Sequence, residues 1–70
     1  MVNNWVKAYS SGYLYKVTIV QSVLQEEGIE SVIINKQDTA YLFGEIELYI
    51  TKEKALVAAN LIKNIKFETE

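Results

Sequence analysis

Seventy residues with a mass of 8.0 kDa, half of them apolar and 23% charged, fit one compact domain and leave no room for a second. Cysteine and histidine are absent and all seven basic residues are lysine. This excludes disulfides, thiolate nucleophiles, imidazole bases and Cys/His zinc sites, and removes the guanidinium that reads phosphate or guanine bidentately.

A net charge of −2, a mean hydropathy of +0.05, no proline and 11% aromatic residues describe a folding chain rather than a disordered regulator. A domain this small buries only about 60% of the surface its unfolded chain exposes, so with disulfides and zinc excluded the reinforcement left is packing or self-association. Residues 1–11 lack the basic start and apolar core of a signal peptide, and no apolar run approaches the roughly 18 residues of a membrane span. The expectation is a cytoplasmic protein with no membrane contact. The folded core should cover about residues 4–65, with 66–70 either a frayed tail or a short edge strand.

In chain order, residues 5–9 alternate, with Trp5, Lys7 and Tyr9 on one side and Val6 and Ala8 on the other, which predicts a strand. Ser10, Ser11 and Gly12 offer a break and an N-cap. Tyr13, Val17, Val20 and Leu24 then recur at helical spacing, with Tyr15, Ile19 and Val23 as a flank. The helix should stop at Glu27, because Gly28 supplies the left-handed position after a helix C-terminus. Residues 29–35 are rich in β-branched side chains and predict a second strand. Residues 36–43 read as a polar and then aromatic connection closed by Gly44. Residues 45–50 alternate strictly, with Ile46, Leu48 and Ile50 against Glu45, Glu47 and Tyr49, a strand with one buried face. Thr51 can cap a second helix with Glu53 in its first turn, and Ala55, Leu56, Ala59 and Ile62 continue it.

The order is β-α-β-β-α, with a terminal β optional. A right-handed crossover makes the first two strands parallel, and the third can insert antiparallel between them. The fold expected is α+β and ferredoxin-like, an antiparallel sheet with two helices on one face. The other face is then open. Trp5, Tyr9, Val32, Ile34 and Tyr49 are assigned to it as a candidate interface, because a large exposed apolar patch marks an interaction surface. Cover by residues 35–43 or by Phe67 is the alternative.

The run EEGIESVIINKQD, followed by GEIELYI, the alanines of the last helix (Ala55, Ala58, Ala59) and the opening Trp5-Val6-Lys7, resembles a family of small bacterial domains assigned to prokaryotic signal transduction. The likeness runs from Trp5 to about Ile62, and its motifs are structural rather than catalytic. It implies a PII-like variant of the ferredoxin fold and a regulatory role with an unknown effector. In PII proteins the connection between the second and third strands binds partners and carries a modifiable tyrosine. The equivalent here is the much shorter segment 36–43 with Tyr41, whose commoner use is to anchor the loop by packing. The PII nucleotide pockets have no counterpart, since Gly12, Gly28 and Gly44 are scattered and arginine is absent.

Other chemistry is weakly encoded. Glu45 and Glu47 share a strand face and could hold a cation or act as an acid and base pair, but alternating acids on a half-exposed strand ordinarily serve solvation. Lys7 among aromatics reads as a surface lysine covering apolar area. No nucleophile has a visible base, so catalysis, metal and cofactor are not expected. RNA-binding modules stack bases on sheet aromatics, but Glu45 and Glu47 lie among these aromatics and the chain is acidic, so nucleic acid is not an expected partner. Asn35, Lys36, Gln37, Asp38, Tyr41 and Phe43 form the candidate ligand- or partner-facing loop. The leading expectation is a non-enzymatic regulatory module, a homodimer or homotrimer through its open sheet face, with an unidentified protein partner or small-molecule effector. A small-molecule or nucleotide sensor of PII type stands second, and a small carboxylate/lysine enzyme third.

Overall fold

The computed structural model of the chain describes residues 4–37 and 44–67. Strand β1 (Trp5–Ser11) leads into helix α1 (Leu14–Glu26), followed by β2 (Ser31–Asn35), β3 (Ile46–Thr51), a single 3₁₀ turn (Lys52–Lys54) and helix α2 (Ala55–Lys63). The sheet order is β1-β3-β2, and β3 is antiparallel to both neighbours. This is the α+β arrangement that the crossover rule predicts, and it is compatible with a ferredoxin-like fold. Residues 65–67 add no fourth strand.

The strict alternation of β3 decides where the core lies. Ile46, Leu48 and Ile50 are buried against Val17, Val20 and Leu24 of α1 and Ala58 of α2, with Ile29 closing the cluster. Both helices therefore cover the same side of the sheet. The molecule is a slab of 35 × 33 × 15 Å. Helix α1 ends as its sequence dictates. The Ile29 N–H donates to the Leu24 carbonyl at 2.9 Å and that of Gly28 to the Gln25 carbonyl at 2.9 Å. Gly28, at φ +79°, makes the left-handed turn this closure requires.

Three expectations need correction. Tyr13 does not join the α1 stripe: it is the N-cap residue, 62% exposed, and its N–H donates to the Ser11 hydroxyl at 3.1 Å. Thr51 makes no side-chain cap, because the chain first turns through the 3₁₀ segment. That turn rephases α2, so Ala58 is the buried residue, Ala55, Leu61 and Ile62 pack partly, and Leu56 is 79% exposed.

The third correction concerns β1. Lys7 pairs with Tyr49, but Tyr9 pairs with Leu48, so Ala8 is an extra residue in a β-bulge. Alternation slips by one beyond it. Tyr9 consequently turns to the helix side, packs on the core and stacks on Phe67 with ring centroids 6.3 Å apart. Ser10, opposite Glu47, takes the place on the open face that unbroken alternation assigns to Tyr9.

Candidate functional site

Cross-strand pairing orders the open face into rows. One row is Lys7, Tyr49 and Val32, and the next is Ser10, Glu47 and Ile34. The polar residues fall on the β1 side and the aliphatic ones on the β2 side. Trp5, Val32, Ile34 and Tyr49 line an open cleft of about 500 Å³. Val32 and Ile34 are each 42% exposed. The structure thus brings together four of the five residues assigned to this face, and the bulge removes Tyr9.

Glu47 organises the polar half. The Tyr49 hydroxyl donates to Glu47 Oε1 at 2.8 Å, Lys36 Nζ lies 3.2 Å from the same oxygen, and Lys7 Nζ is 3.5 Å from Oε2. The Glu47 side chain is only 13% exposed. Its pKa is lowered, chiefly by the Tyr49 hydrogen bond, with Lys36 and then Lys7 adding to the effect and partial desolvation opposing it. These contacts occupy both carboxylate oxygens, which suits a fixed structural anion better than a proton-transferring group. Lys7 reaches a carboxylate, not an aromatic cage. Among the described residues no cluster of three or more acidic side chains is placed to hold a metal.

A carboxyl with a lowered folded-state pKa contributes stability above its unfolded pKa and loses it as pH falls through the folded value. Glu47→Gln is therefore expected to flatten the acid limb of the stability curve, measured by urea unfolding from pH 7 down to pH 3. An unchanged slope between variant and parent would contradict the role given to this carboxylate.

The described part of the connecting loop is tied down. The Asn35 side-chain oxygen accepts the Gln37 N–H at 2.9 Å, an Asx-type turn, and the Gln37 amide donates to the Gly12 carbonyl at 2.8 Å. The Lys36 N–H donates to the Glu45 carbonyl at 3.1 Å, which closes the base of the loop. Gly44 stands there at φ +89°, and a Cβ on it would lie 2.6 Å from the Lys36 carbonyl oxygen. Asp38, Tyr41 and Phe43 lie outside the described residues. The sequence places Lys36 in the loop alone, but its ammonium reaches onto the sheet face, 3.2 Å from Glu47, a link that loop spacing does not encode.

No helix among the described residues is long and apolar enough to cross a membrane. The geometry defines a two-layer α+β domain with one helix-covered and one partly apolar sheet face. Residues 5–66 match the model of a family described as "putative prokaryotic signal transducing protein", and the chain belongs to that family. Neither a curated protein nor a solved structure matches the chain significantly.

Proposed function

We propose that this chain is a non-catalytic, cytoplasmic signal-transducing module of PII-like type that works by binding protein through its open sheet face, with a second copy of itself as the first partner. The observation that carries this reading is the cleft formed by Trp5, Val32, Ile34 and Tyr49 on the side of the sheet away from both helices. Apolar surface of this kind beside a small core is stabilised by burial between chains. The sheet order β1-β3-β2 supports the PII-like assignment, and the family description supports the signalling role. Glu47 supports a binding rather than a catalytic use, because its neighbours hold it as a fixed charge at the edge of the apolar patch. The loop that begins at Lys36 is the place for an effector to act on the face, since Lys36 spans the two.

Light scattering across a concentration series tests the reading, with a dimer or trimer expected at micromolar concentration. Tyr49→Lys is expected to shift the assembly towards monomer while far-UV circular dichroism stays native. A parent chain that remains monomeric at every concentration would remove the proposal.

A further inference from the structure

Strands β1 and β2 form the two borders of the sheet, and they differ in kind. Strand β1 carries Lys7 and the bulge at Ala8, two devices that discourage pairing with another chain. Strand β2, Ser-Val-Ile-Ile-Asn, contains no charge, glycine, proline or bulge, and among the described residues it pairs on one side only. Backbone alternation shows which groups face the unpaired side. The Lys36 N–H donates to Glu45, so even-numbered residues address β3 and Ser31, Ile33 and Asn35 turn their N–H and C=O groups outward. The Gln21 side-chain amide, donating to the Ser31 carbonyl at 3.4 Å from α1, fits that direction.

We propose that a second copy of this chain pairs along this border, β2 antiparallel to β2 about a two-fold axis at Ile33, which joins two three-stranded sheets into one. The segment from Glu30 to Lys36 is complementary to itself in this register. Ile33 meets its own copy, Ser31 meets the partner's Asn35, Val32 meets the partner's Ile34, and Glu30 meets the partner's Lys36. The last two contacts occur twice each on the open side of the sheet, and at either end of the β-branched centre Lys36, 3.2 Å from Glu47 of its own chain, meets a second carboxylate. Directly opposed unlike charges and β-branched pairs both stabilise antiparallel strands. Slipping the register by two residues one way sets Glu30 against Asp38 and Val32 against Lys36. The opposite slip sets Glu30 against Ile34 and Lys36 against Gly28. Charge therefore selects the centred alignment.

On the helix side, a cleft of about 390 Å³ lined by Gln21, Gln25 and Ser31, among others, lies beside the strand end that receives the partner's Asn35. Its polar lining suits an amide side chain. On the open side, the Val32 and Ile34 of both copies merge into one aliphatic band flanked by two Trp5–Tyr49 clefts, so the border contact widens the face on which the proposed self-association depends.

This inference rests on the self-association proposed above, and a charge-exchange experiment separates the two. Glu30→Lys and Lys36→Glu are each expected to weaken self-association about tenfold, because each opposes like charges at both ends of the strand pair. An equimolar mixture of the two variants restores opposite charges at both ends and is expected to recover the parent's dimer mass. A variant that merely misfolds gives no such recovery, and circular dichroism of each variant alone checks its fold. In the parent, the Ser31, Ile33 and Asn35 amides should gain hydrogen-exchange protection with rising concentration. Variants that assemble as well as the parent, or a mixture that does not recover, would overturn strand pairing. If assembly survives both charge changes and fails only in Tyr49→Lys, the border pairing falls and self-association through the face stands. A monomeric parent removes both.

Discussion

Leu48→Ala is expected to lower the unfolding free energy by about 2–5 kcal/mol, read from urea denaturation at neutral pH. Leu48 is fully buried at the middle of the central strand, between Tyr9 on β1 and Ile33 on β2, and faces both helices. Truncation loses the transfer free energy of the removed carbons and leaves a cavity that two layers 15 Å thick have little material to fill. A chain of this length has a total stability of roughly 4–10 kcal/mol, so the loss is a large share of the whole. Tyr49→Lys, one position on, places its change on the opposite face and should cost far less. Equal destabilisation by the two variants would contradict the facing assigned to β3.

Gly44→Ala is expected to cost about 2 kcal/mol or more, by two causes that add. The backbone stands at φ +89°, a region that costs an L-residue about 1–2 kcal/mol, and the new Cβ would meet the Lys36 carbonyl oxygen at 2.6 Å. That oxygen is main chain at the end of β2 and cannot rotate away. The comparison is Gly28→Ala, where φ is +79° but nothing beyond the chain neighbours lies within 4 Å of the added carbon, so only the same conformational cost of about 1–2 kcal/mol applies. Urea midpoints of the two variants give the difference directly. If Gly28→Ala is the more damaging, the close approach between the two strand ends is not what constrains Gly44.

Strong periodicity makes the architecture legible in the sequence. The alternation of residues 45–50 specified the buried face of β3 residue by residue, and Gly28 marked the end of α1. The crossover rule placed β3 between β1 and β2. What escaped were shifts of phase. The bulge at Ala8 has no signature in its residues, since a glycine would have announced a break and an alanine does not. The 3₁₀ turn at Lys52–Lys54 rotated α2 enough to exchange Leu56 and Ala59 for Ala58 as the buried position. At the candidate site, Trp5, Val32, Ile34 and Tyr49 followed from parity, whereas the Lys36–Glu47–Lys7 arrangement did not. It joins three segments through long, flexible side chains whose meeting depends on the registers of two strand pairs.

The bulge makes the length of β1, and not only its composition, carry information. Its two halves are counted in opposite phase, so a one-residue deletion anywhere between Lys7 and Tyr9 would bring them back into step. Such a shortened chain would run straight and keep Tyr9 opposite Leu48, on the helix side beside Phe67. What the extra residue supplies is a kink that blunts this border, so a chain one residue shorter there would keep both faces and present a straighter, stickier margin.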